Sequence, residues 1–116
     1  MRFIDHGQGG DPSVMHLSQC AKPAPAPHEV LVKVAYAGVN RPDCLQRSGR
    51  YPPPPGASPI LGLEVAGEVV ALGEGVTRWR LGDPVCGLCN GGGYAEFVAI
   101  PEGQVLTIPK GLTLLQ

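Results

Sequence analysis

Apolar and polar residues alternate most regularly over Glu29–Ala37, Glu-Val-Leu-Val-Lys-Val-Ala-Tyr-Ala. The two-residue period puts Val30, Val32, Val34 and Tyr36 on one face and Leu31, Lys33, Ala35 and Ala37 on the other, which predicts a strand that Gly38 ends. Glu68–Leu72 predicts a second, more apolar strand, closed by Gly73-Glu74-Gly75. Arg80–Val85 reads as a turn entering a third, Tyr94–Ile100 alternates again, and Val105–Ile108 is a last short strand. Near the start, Phe3-Ile4 and Val14–Leu17 predict two short strands around the turn Gly7–Pro12.

Helical signals are brief. Pro42 pre-sets a helical φ at a first helical position, and Asp43 lies in that first turn, where a carboxylate favours the helix dipole. Cys44–Ser48 adds little more than one turn, Gly49 can terminate it, and Pro52–Pro55 forbid regular continuation. Gly111–Gln116 is expected to begin a helix with Thr113 as its cap. Lys22–Pro27 reads as a short polyproline-like connector. Short strands at near-regular spacing predict a mainly β fold with short helical turns that forms a closed or nearly closed barrel. No internal repeat is present.

Composition narrows the picture. At 116 residues there is room for one domain with one core. Gly (17) and Pro (13) make 30 of the 116 residues, yet 43% of the chain is hydrophobic, so the Gly/Pro content reads as turns rather than disorder. Only 16% is charged, a hint that some apolar surface expects a covering partner. A net charge of -1 gives no reason to expect nucleic acid or an anionic membrane as partner. Arg41, Arg47 and Arg50 form a small basic cluster, read either as a solvated helix face or as neighbours of an anionic ligand. No apolar run spans a bilayer and none follows Arg2 as a signal peptide would require, so a cytoplasmic location and reduced thiols are the default.

Two motifs suggest chemistry that their context does not support. Cys86-Gly87-Leu88-Cys89 has C-x-x-C spacing, but the remaining cysteines and histidines are scattered, and the motif ends a strand instead of opening a helix. It reads as small buried residues. Gly7–Gly10 and Gly91–Gly93 lack the spacing and the following helix of a phosphate-binding turn.

Ala37-Gly38-Val39-Asn40-Arg41-Pro42-Asp43, Tyr51–Gly56, Ile60–Gly67, Leu81–Val85, Gly91–Phe97 and Ile108–Leu112 occur in an order that resembles the GroES-like domain of medium-chain dehydrogenases/reductases over the whole chain, Phe3 to Gln116. Asn40–Asp43 and Tyr51–Gly56 are most similar to the zinc-independent NADPH:quinone oxidoreductases, of the p53-inducible and zeta-crystallin type. In zinc-dependent members a Cys would stand at Asn40 and a His at Leu63; neither is here.

The resemblance implies a GroES-like, partly open β-barrel and the substrate-side half of an NADPH-dependent, zinc-free quinone reductase. It implies a Rossmann domain after Gln116 that this chain does not contain, inactivity of the chain by itself, and a homodimer for the full-length protein. Asn40 is the first candidate catalytic and cofactor-binding residue, because its amide both donates and accepts, or it is a plain helix-start residue. Tyr51 would lay its ring beside the quinone or nicotinamide and offer its hydroxyl, or is a surface aromatic ahead of the prolines. Asp43 would orient Asn40 or a neighbour, or simply serve the helix dipole. Leu63 would line an apolar substrate pocket, or pack in the core. Gly62 and Gly67 would allow close backbone approach, or are simple turn glycines. The other class of function considered is a stand-alone GroES-like binding or oligomerisation module.

Overall fold

A computed structural model describes all residues, Met1–Gln116. The elements are β1 (Arg2–Asp5), β2 (His16–Gln19), β3 (Glu29–Ala37), α1 (Arg41–Arg47), β4 (Glu64–Leu72), β5 (Pro84–Leu88), β6 (Phe97–Pro101) and β7 (Val105–Thr107), with single 3-10 turns at Pro12–Val14 and Glu102–Gln104. Strands β3 to β7 form one antiparallel five-stranded sheet in the order β6-β3-β4-β5-β7, and β1 and β2 form a separate hairpin. The two sheets do not close on each other. The result is mainly β and partly open, the expected GroES-like form.

The core lies on one face of the large sheet. Val30, Val32, Val65, Val69, Val85, Cys89, Val98, Ile100 and Val105 form one buried cluster. Its cross-strand pairs follow from the register: Val30 opposite Ile100, Val32 opposite Val98 and, across β4, Val32 opposite Val69. β-branched side chains fit a pleated surface buried in this way. Each contributes roughly 1.5–3 kcal/mol through burial.

The alternation along β3 breaks where a bulge intervenes. Val34 pairs with Gly67 but Tyr36 pairs with Ala66, leaving Ala35 as an extra residue. One inserted residue changes the face of all that follow. So Tyr36 leaves the face of Val30 and Val32 and is exposed, whereas Ala37 packs against the core.

β4 begins four residues earlier than its apolar run suggests and passes straight through Gly67. Gly67 is therefore a strand residue, not a turn. A Cβ there would lie 2.1 Å from the Lys33 carbonyl oxygen, so β3 and β4 approach this closely only across a glycine.

α1 starts at the N-cap Asn40, and Pro42 occupies its second position, not its first. It ends at Ser48, with Gly49 at φ +86° immediately beyond. Arg47 ties the helix to the first loop: its Nε donates to the Gly10 carbonyl at 3.1 Å, while the Gly10 N–H donates to the Arg47 carbonyl at 2.9 Å. Of the three clustered arginines, this one is structural.

The expected C-terminal helix does not form. The Thr113 N–H donates to Gln116 Oε1 at 3.0 Å, and the Gln116 N–H returns to the Thr113 carbonyl at 3.2 Å. These two bonds close a turn at Thr113 in place of the expected helix cap.

Candidate active-site cleft

Three backbone segments converge beside α1. The loop after β5 runs along residues 60–63 with repeated hydrogen bonds: Cys89 N–H to the Leu63 carbonyl at 2.8 Å, Gly92 N–H to Ile60 at 2.8 Å, Gly93 N–H to Gly62 at 3.0 Å and Tyr94 N–H to Leu61 at 2.8 Å. Gly62 makes this approach possible. Its φ is +104°, and a Cβ there would meet the Tyr94 nitrogen at 2.6 Å. The pairing fixes Leu63 and brings Tyr94 under the helix.

Tyr94 donates its hydroxyl hydrogen to Asp43 Oδ2 at 2.7 Å, and the Asn40 N–H donates to the same oxygen at 3.1 Å. Asp43 is 3% exposed, and its Oδ1 is buried without a partner. Burial, then the carboxylate beside it, pushes the Tyr94 phenol well above its ordinary value, so it stays protonated as a donor. Asp43 thus joins the N-cap of α1 to the loop from β5. Being buried, its carboxylate does not reach an open surface. Asn40 and Asp43 form a reciprocal capping arrangement, of which the bond from the Asn40 N–H is the formed arm. Asn40 itself is partly buried beside the cleft described next, not among its lining residues.

A cleft of about 1080 Å³ opens over the other face of the large sheet. Tyr36, Ala66, Cys86 and Leu106 stand directly opposite one another on β3, β4, β5 and β7, and all four line it. Tyr51, Leu63 and Glu64 line it too, as do residues 112–116. Of the four residues read from the sequence as site candidates, Tyr51 and Leu63 share this cleft, whereas Asn40 and Asp43 form the capping cluster next to it. No lining side chain is cationic. Glu64 lies over Gly38, with its carboxylate where a Cβ on Gly38 would be.

Gln46 and Tyr94 escaped the reading of the sequence. Gln46 lines the cleft and Tyr94 anchors Asp43. The signal for Gln46 was available: it lies three residues after Asp43, on the same side of α1, and both are buried. Nothing local marks Tyr94, whose role depends on a contact 51 residues away.

Both cysteines of the C-x-x-C pair border the cleft, but Cys86 is partly exposed, whereas Cys89 is 4% exposed and packs in the core cluster, its thiol donating to the Gly62 carbonyl at 3.3 Å. Burial pushes the Cys89 thiol up to about 11. All four cysteines are free, and no three His, Cys, Asp or Glu side chains come together as metal ligands.

A bulged antiparallel sheet, a capped single helix and a cleft on the sheet's open face define a GroES-like domain. The chain belongs to the alcohol dehydrogenase GroES-like domain family, which matches residues 26–110. It is 37% identical to the quinone oxidoreductase of Rattus norvegicus over 100% of this chain and 36% of that protein. Its fold matches the crystal structure of the Coxiella burnetii quinone oxidoreductase with a TM-score of 0.88 at 28% identity, over 100% of this chain and 39% of the other. A mycobacterial protein complexed with NADPH matches with a TM-score of 0.85 at 34% identity, over 98% of this chain and 35% of the other. The chain spans little more than a third of the length of these relatives.

Proposed function

We propose that the chain is the substrate-side domain of an NADPH-dependent quinone oxidoreductase that works without zinc. The observation that carries this reading is the wall of the cleft: Tyr51 and Leu63 present an aromatic and an aliphatic surface to it, and no lining side chain is cationic. Such a wall fits flat, uncharged rings and not phosphates. The phosphates of the cofactor would then be held outside this chain, by the Rossmann domain that the resemblance implies.

NADPH, when bound, supplies a hydride to the quinone. Leu63 and the row Tyr36, Ala66, Cys86 and Leu106 exclude water from the rings and raise the strength of every hydrogen bond made there. The Tyr51 hydroxyl donates to the quinone oxygen on which negative charge grows. The Asn40 amide both donates and accepts, which suits a ribose hydroxyl or the nicotinamide carboxamide. Asp43 holds the backbone of Asn40 and the ring of Tyr94, so the helix start is fixed before ligand arrives. Leu63 stands where zinc-dependent relatives are expected to place a histidine, and an aliphatic side chain cannot ligate a metal. A cytoplasmic location and a homodimeric full-length protein complete the proposal.

Two measurements test it. The encoding frame read past Gln116 should continue to a strand followed by a glycine-rich turn and a helix; a stop codon there overturns the enzyme reading and favours a binding module. The purified chain should oxidise no NADPH with 1,4-naphthoquinone as acceptor, and turnover by the chain alone would show that the phosphate-binding half is not needed.

A further inference from the structure

Gln46 is a buried amide that the capping cluster does not use. It is 7% exposed and lies on the side of α1 that meets the cleft, which it lines. One of its two N–H groups is committed: Nε2 donates to the Pro59 carbonyl at 3.2 Å. That carbonyl accepts and cannot donate, so it also settles which end of the amide is nitrogen. Oε1 takes no hydrogen bond, and one N–H remains. Asp43 Oδ1 is the one buried side-chain oxygen left without a partner, so the free Oε1 of Gln46 stays open to water or to a ligand in the cleft. The cleft carries Tyr51 and Leu63 on its wall, together with the polar Ser58, Glu64 and Asn90.

We infer that Gln46 is a substrate-binding residue that selects ligands carrying an oxygen on a flat apolar ring. The inference rests on the quinone reading of the cleft and adds the group that reads the oxygen. A free N–H can donate to a quinone carbonyl, and a free Oε1 can accept from the hydroxyl of the reduced product. One amide therefore meets both ends of the reaction without changing its own protonation. Its anchor on Pro59 ties it to the segment ahead of Leu63, so it is held in place while the ligand changes.

The test uses the 116-residue chain and two probes of equal ring size, 1-naphthol and naphthalene. Neither is an electrophile, so the four free thiols do not interfere. In the unmodified chain, 1-naphthol should shift the side-chain amide resonances of Gln46 in nitrogen-15 NMR, and naphthalene should not. Gln46→Leu should weaken 1-naphthol about fivefold, the equivalent of one ordinary hydrogen bond, and leave naphthalene within twofold. Binding of both probes with unmoved Gln46 amide resonances overturns the role of Gln46 and leaves the cleft reading standing. Failure of both probes to bind overturns the cleft reading and this inference with it. The amide shift is read in the unmodified chain, so the result does not depend on the variant folding.

Discussion

The two faces of the large sheet are built from the same strands and end in opposite states. On the inner face, Val30, Val32, Val69, Val85 and Ile100 are at most 1% exposed. On the outer face, Tyr36 is 47% exposed, Leu88 63% and Leu106 65%. The registers align a row on each face, so pairing does not distinguish them. What differs is what lies against the row. Both faces carry apolar side chains, yet only the inner one is packed, and an apolar face left open over a cleft is one that awaits a ligand or further protein. Apolar character alone therefore does not mark core; packing partners do.

The largest expected effect comes from the backbone contact that both faces share. Gly67→Ala forces a Cβ against the Lys33 carbonyl and should cost about 3 kcal/mol, or prevent folding, as read by urea denaturation. Removing inner-face volume follows closely: Ile100→Ala should cost about 3 kcal/mol in the same measurement. If Leu106→Ala on the outer face cost as much, the contrast between the faces would be wrong; a change within about 0.5 kcal/mol is expected.

Between these extremes lies the polar seam at the edge of the core. Tyr94→Phe removes the hydrogen bond to the buried Asp43 and should cost about 2 kcal/mol.

The pH dependence sharpens the same boundary. The Cys89 thiol ionises near 11 in the folded chain against 9.0 when free. The unfolded chain therefore loses this proton first. The stability that burial of the neutral thiol confers is complete below pH 9 and drains away between pH 9 and 11. Tyr94, also raised, adds the same sign of effect above pH 10. Melting temperature should fall across this window, and Cys89→Ala should flatten the part below pH 11. The smallest effect is a kinetic ranking: iodoacetamide at pH 8 should label the exposed Cys20 first and the core Cys89 last.

How much of this was legible from residues alone depended on the range of the interaction. The β3 strand, the stop at Gly38, a short helix around Pro42 and Asp43 and the turn at Gly49 are local events, readable from φ preferences and side-chain period, although the helix starts one residue earlier than Pro42 suggested. Tyr51 and Leu63 emerged as cleft residues through their family setting, and the cleft holds both. The bulge at Ala35 was not legible, because an extra residue in one strand is defined only by its partner. At Thr113 a turn stands in place of the expected helix cap.

The sequence by itself determined a turn-rich, mainly β chain, the presence of its one short helix, and the residue types offered for chemistry. Those follow from side-chain period, backbone preference and the functional groups each residue carries. Only the tertiary structure decided that Asp43 is buried under Tyr94, that Cys89 is buried while Cys86 is partly exposed, and that Gln46 reaches the cleft. Each of these depends on residues far apart in the chain meeting at a fixed register, and that register is set by packing, which no single segment contains.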